Sequence, residues 1–183
     1  GRGIRIEGDG LTILSNLNMN ISSTTIWGSN IWNQDGPATF NNIIIDGIIN
    51  GGNIIAINGS DTTIFNNLRF TNNEGDMYFQ HDPHVFFNNS TIGIIIGSGS
   101  QLFYFGGIAG SSVSITNSIF LPPFNVTQYT TVSINNSCVR NENTSYGSNN
   151  INMDPLFIDI ANGDYRLSNF SPCIGAGLDT SIV

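Results

Sequence analysis

The apolar residues of this 183-residue chain fall in short runs that alternate with polar ones, and asparagine interrupts them at near-regular intervals. One unit recurs six times: an apolar residue, any residue, Asn, any two residues, an apolar residue. It reads Leu14-x-Asn16-x-x-Met19, Phe40-x-Asn42-x-x-Ile45 and Phe65-x-Asn67-x-x-Phe70, then Phe87-x-Asn89-x-x-Ile92, Ile115-x-Asn117-x-x-Phe120 and Ile134-x-Asn136-x-x-Val139. Successive asparagines are 26, 25, 22, 28 and 19 residues apart, the length of one solenoid coil. In a strand, residues two apart share a face, so each Asn and the apolar residue before it are predicted to point inward. The step of three to the next apolar residue breaks that period and predicts a corner at the Asn. Asparagine tolerates the left-handed conformation such a corner needs, and its amide can bond the equivalent amide one coil away. The expected fold is all-β: a right-handed single-stranded parallel β-helix of about six to seven coils, neighbouring strands about 4.8 Å apart. An inward Asn ladder of Asn16, Asn42, Asn67, Asn89, Asn117 and Asn136 would run through it. The uneven spacing places insertions at the turns, where solenoids absorb length changes.

Composition points the same way. The chain holds 27 Asn, 28 Ile and 21 Gly but 5 Ala and no Lys, so the residues that clothe helix surfaces are scarce. A β-sandwich is the alternative, but it would show turn signals every 8–12 residues with clean alternation, which the fixed Asn positions do not match. One domain is expected over 1–183, with repeating coils over 1–139 and a polar excursion plus a closing segment over 140–183.

Charge narrows the partners. The net charge is −8, and five arginines scattered along the chain form no basic patch of the kind that displaces counterions from nucleic acid. The same shortage disfavours anionic membrane surfaces, and no apolar run approaches the length that spans a bilayer. Nucleic acid binding and membrane insertion are therefore excluded. The chain opens on Gly-Arg-Gly with no leader pattern, so a processed product or excised segment is expected.

Catalytic chemistry is hard to find. No lysine and no adjacent Asp pair are present, and glycoside hydrolysis needs two carboxylates facing one bond. A base poised near neutral pH would have to be histidine. Both histidines fall in one polar stretch, Glu74-Gly75-Asp76 followed by His81-Asp82-Pro83-His84, which makes His81, Asp82 and His84 weak metal candidates. Yet Asp-Pro is an ordinary turn signal and this spacing is no established ligand pattern, so a solvent-facing turn is the plainer reading. Neither a catalytic site nor a cofactor is expected. Trp27 and Trp32, on an insertion between the first coils, read as aromatic cover for the core edge rather than a sugar platform.

Asn-x-Ser/Thr sequons occur at Asn20, Asn58, Asn88, Asn89, Asn125, Asn135, Asn143 and Asn169. Asn58, Asn125 and Asn143 lie in turn-like contexts and, with Asn20, are the N-glycosylation candidates.

The run Asp154-Pro155-Leu156-Phe157, Asn162-Gly163-Asp164-Tyr165-Arg166-Leu167 and Ser171-Pro172-Cys173-Ile174-Gly175-Ala176-Gly177 resembles the closing segment of secreted right-handed parallel β-helix proteins of the pectate-lyase-like superfamily. Phe65–Asn67 and Phe70–Asn73 more weakly resemble the repeats of polymorphic outer-membrane adhesins. The resemblance implies architecture and secretion but says little of activity, because one fold hosts many functions. It also implies that a Cys in the last regular coil accompanies the Cys of the closing motif, which pairs Cys138 with Cys173. Such a disulfide would close a loop of about 35 residues and stabilise the fold by roughly 4 kcal/mol.

A β-helix exposes unpaired backbone at its ends, and such edges recruit other strands. The chain is therefore expected to be an extracellular, non-catalytic surface glycoprotein that associates with itself head to tail into a fibre. The alternatives are a polysaccharide-binding or lyase-like protein using His81, His84 and Arg69 along one strand face, and an adhesin passenger domain.

Overall fold

The computed structural model of the chain describes residues 4–7, 10–20, 31–47, 53–59, 61–95, 103–105, 110–121, 130–139 and 146–178. Their short β-branched and aromatic runs form parallel strands stacked in three faces. The first face holds β1 (Ile4–Glu7), β3 (Ile31–Gln34), β5 (Asn53–Asn58), β8 (Asp76–Gln80) and β11 (Phe103–Phe105), in that order. The second holds β2 (Thr12–Asn20), β4 (Ala38–Asp46), β6 (Thr62–Asn66), β9 (His84–Asn88), β12 (Ser112–Thr116) and β14 (Thr131–Asn135). The third holds β7 (Arg69–Asn73), β10 (Thr91–Ile95), β13 (Ile119–Phe120) and β15 (Cys138–Val139).

The architecture is thus the expected parallel solenoid, but its coil count is smaller. Three coils carry a separate strand on every face: β5–β6–β7, β8–β9–β10 and β11–β12–β13. The count of about six to seven is corrected to about three such complete turns among the described residues. At the N-terminal side one strand runs on through the corner instead. The first half of β4 pairs with β6 and its second half with β7, so a single strand serves two faces.

The interior is a set of like-on-like columns, because each coil sets equivalent residues directly above one another. Phe40, Phe65 and Phe87 are fully buried on the second face; their rings stack at 4.8 and 5.1 Å between centroids and lie within 12° of parallel. That separation matches the strand spacing, so the backbone ladder itself sets the stacking distance. Ile115 and Ile134 continue the column. On the third face Ile45, Phe70, Ile92, Phe120 and Val139 form a second buried column. Phe79 of the first face meets Phe87 edge-on at 6.5 Å and ties two faces together.

The corner lies where the repeat predicts it. Asn16, Asn42, Asn67, Asn89, Asn117 and Asn136 all take positive φ, between 51° and 60°. The ladder they form is not inward, however. Asn16, Asn42, Asn67 and Asn89 are exposed, and Asn117 and Asn136 are half-buried. The expectation carried the strand period of two through a residue that is not extended. A left-handed residue bends the chain, which leaves its own side chain outside the corner and turns the next residue in. Those next residues are Ile43 and Leu68, then Ser90, Ser118 and Ser137, all at most 3% exposed.

The expected polar excursion is partly a coil. Residues 148–151 lie parallel on the last strands: Asn136 N–H bonds Ser148 O at 3.0 Å, and Ile151 bridges Cys138. Gly147 sits against the coil below, where a Cβ would meet the Ile134 carbonyl oxygen at 2.0 Å. Only glycine permits that approach. Beyond it, β16 (Phe157–Asp159) and β17 (Asp164–Leu167) pair antiparallel through a 3₁₀ turn over Ile160–Asn162. Asp159 caps the turn, and Gly163 leaves it at φ 76°.

Candidate functional site

The outer asparagine corner carries side-chain hydrogen bonds from coil to coil. Asn42 donates its amide to Asn16 Oδ1 at 2.9 Å, Asn67 donates to Asn42 Oδ1 at 2.9 Å, and Asn149 donates to Asn136 Oδ1 at 3.1 Å. Asn149, at φ 58°, is a further rung that the repeat does not reveal, because Asn152 occupies the place of the following apolar residue. A second row runs beside the first: Asn66 donates to Asn41 and Asn88 to Asn66, each at 3.0 Å. The doubled Asn41-Asn42, Asn66-Asn67 and Asn88-Asn89 is its sequence signal.

Inside the corner a serine column does what the asparagines were expected to do. Leu68 N–H donates to Ser90 Oγ at 3.2 Å, Ser90 N–H to Ser118 Oγ at 3.0 Å, and Ser118 N–H to Ser137 Oγ at 3.2 Å. Each hydroxyl donates in turn to a carbonyl two residues before it: Asn88, Thr116 and Asn135. Ser137 N–H ends the column on Asn150 Oδ1 at 3.2 Å. Backbone amides that a left-handed corner turns inward thus find acceptors in the next coil, as buried donors must. The Asn-Ser dipeptides at 89–90, 117–118 and 136–137 carry this pattern.

Asn117 bonds differently. Its amide donates to Leu178 O at 3.0 Å, and its Oδ1 accepts Leu178 N–H at 2.8 Å. The side chain therefore pairs with both polar groups of one peptide residue, as a neighbouring strand would. Leu178 belongs to the closing segment, which lies along the flank of the solenoid. Tyr165 of β17 sits beneath Arg69 of β7, with the guanidinium carbon 5.9 Å from the ring centre, and Phe157 packs edge-on to Tyr165 at 5.5 Å. Burial raises the Tyr165 phenol.

A groove of about 260 Å³ follows the corner, lined by Asn42, Ile44, Asn67, Arg69, Asn89 and Thr91, with Leu68 as floor. The Arg69 side chain is 37% exposed, and its contact with Asp46 is long, 3.8 Å. Asp46 is held more closely by the Thr71 hydroxyl at 2.9 Å and the Asn72 amide at 3.2 Å.

The other expected sites fare unevenly. Cys138 and Cys173, between which a disulfide is expected, come together as neighbouring thiols. Burial, then the hydrogen bond and charge of Cys173, push the Cys138 thiol up to about 12. His81, Asp82 and His84 form no metal centre: no group of three or more His, Cys, Asp or Glu side chains converges among the described residues. The His81 ring bonds Asn58 Oδ1 in one neighbouring coil, and the His84 ring bonds Ser112 Oγ at 2.8 Å in the other. Nor do they join Arg69. The whole of the second face, five residues or about 16 Å, lies between His84 and the corner leading to Arg69.

Of the sequons, Asn58 is half-buried and engaged by His81, whereas Asn89 and Asn169 are exposed. Asn20 ends β2, and Asn125 and Asn143 lie outside the described residues, as does Trp27. Among the described residues no helix is long and apolar enough to cross a membrane. No family model, curated protein or solved structure matches the chain.

Proposed function

We propose that this chain is a non-catalytic, extracellular structural protein whose copies stack end to end. The observation that carries this reading is the polarity of the outer ladder. The bonds that join rung to rung all run toward the N-terminal side: Asn42 donates to Asn16, Asn67 to Asn42 and Asn149 to Asn136. The first rung, Asn16, is therefore left with a donor, and the last, Asn149, with an acceptor. The two belong to the same corner, so a second copy stacked in register would place one on the other. Strand β2 and residues 148–151 are each paired on one side only among the described residues, and Leu11 and Ile13 beside the first rung are 64% and 60% exposed. A contact of this kind is heterologous and propagates without closing.

Secretion and glycan attachment belong to the same proposal, supported by the exposed sequon at Asn169 and by the likeness of the closing segment to secreted pectate-lyase-like β-helix proteins. Sedimentation across a concentration series, with negative-stain micrographs, tests the assembly. Rod-like oligomers growing with concentration are expected, and Asn149→Gly, which keeps the left-handed corner but removes the acceptor, weakens association. A monodisperse monomer throughout overturns the reading.

A further inference from the structure

We propose that the groove over Asn89 and Arg69 is a docking track for an extended, acid-bearing polypeptide segment. The molecule already holds one such contact, in which the Asn117 side chain clamps the N–H and C=O of Leu178. Asn89 stands one coil away on the same corner, with the same left-handed backbone at φ 52°. It is exposed, and its amide joins neither Asn67 nor Asn117 among the described residues. The one outer rung with an uncommitted amide on both edges thus lies next to the rung that binds peptide.

Arg69 gives the track its charge preference. It lies on the coil beyond Asn89, two residues past the corner, and lines the same groove. Its ion pair with Asp46 is long, and that carboxylate takes its shorter bonds from Thr71 and Asn72. Tyr165 supports the guanidinium from the flank without engaging its hydrogen-bonding edge. A ligand carboxylate would meet the guanidinium with charge-assisted bonds. Coils are about 4.8 Å apart and an extended chain rises about 3.4 Å per residue, so the acidic residue falls one or two positions from the residue clamped by Asn89. The volume, about 260 Å³, is below the roughly 300–1,000 Å³ of compact small-molecule pockets. Ile44 and Leu68 offer an apolar floor for one neighbouring side chain.

The test is an NMR titration of the isotopically labelled full chain, below its association concentration, with an acetylated and amidated Ala-Leu-Asp-Ala peptide and its Asn counterpart. The Asn89 side-chain amide and the Arg69 guanidinium resonances are expected to shift selectively. The Asp peptide binds about tenfold more tightly than the Asn one. Asn89→Gly, which retains the corner, and Arg69→Gln each weaken binding by about the same factor, while Asn16→Gly, at the assembly end, leaves it unchanged. Equal binding of the two peptides, no shift with either, or shifts produced by a neutral oligosaccharide in place of the peptide would each overturn the proposal.

Discussion

Replacing Ser118 by alanine separates the inner column from the outer ladder. Ser118 is 2% exposed, and its hydroxyl accepts Ser90 N–H at 3.0 Å and donates to Thr116 O at 2.8 Å. After Ser118→Ala the Thr116 carbonyl keeps a partner, since Asn89 N–H also reaches it at 3.1 Å. Ser90 N–H loses its acceptor in a site where water does not replace it. An orphaned buried donor costs about 1–3 kcal/mol. The comparison is Asn67→Gly, which removes an exposed amide bond but lets glycine take φ 59° without strain. Its cost is about 1 kcal/mol or less, because water satisfies the freed groups. Urea unfolding of both variants measures the difference, with an unchanged slope confirming that the same surface is exposed. If Ser118→Ala costs no more than Asn67→Gly, the inner serine column is not what secures the corner.

Further outcomes follow from other positions. Phe65→Ala opens the middle of the aromatic column and should cost about 3–5 kcal/mol in the same unfolding experiment. Gly147→Ala drives a Cβ into the Ile134 carbonyl, so amide exchange over residues 148–151 should rise sharply while the central coils keep their protection. Because the Cys138 thiol is raised from 9.0 to about 12, its protonated form favours the fold; that contribution is complete below the ordinary thiol value and lost as pH climbs toward 12. Alkylation of Cys138 at pH 8 should accordingly be slow, and rapid labelling would contradict the burial. Hydrogen bonds from Arg166 hold the Asp164 carboxyl down at about 2, so the hairpin gains its ionised form above the ordinary carboxylate value and loses it as pH falls through 2. A carboxyl NMR titration with its midpoint near 4 would count against that pair.

The repeat made the solenoid and its corner legible because both depend on local rules. An apolar residue every second position and a residue that tolerates positive φ are visible in Phe65-Asn66-Asn67 without knowing any partner. What lay beyond reach was the direction of the side chain after the bend. Treating Asn67 as strand pointed it inward, whereas its left-handed φ leaves it outside and sends Leu68 in. The serine column escaped for the same reason: Ser90 reads as a polar turn residue until the corner is known to invert the alternation. Pairings across long separations were only partly readable. Cys138 and Cys173 lie side by side, yet the burial that raises the Cys138 thiol is encoded by no local pattern. Asn117 clamps Leu178, 61 residues away, through backbone groups that carry no sequence signature. The histidines show the converse: adjacent in sequence, they are drawn to opposite neighbouring coils, because a turn in a solenoid touches the coil on each side.

The most direct test of the coil stack is a through-space NMR map of the side chains that coincide once per turn. The parallel solenoid predicts contacts from the Phe65 ring to both Phe40 and Phe87, and from the Asn42 amide to both Asn16 and Asn67. Contacts from these residues to strands only 8–12 residues away, in antiparallel order, would contradict it.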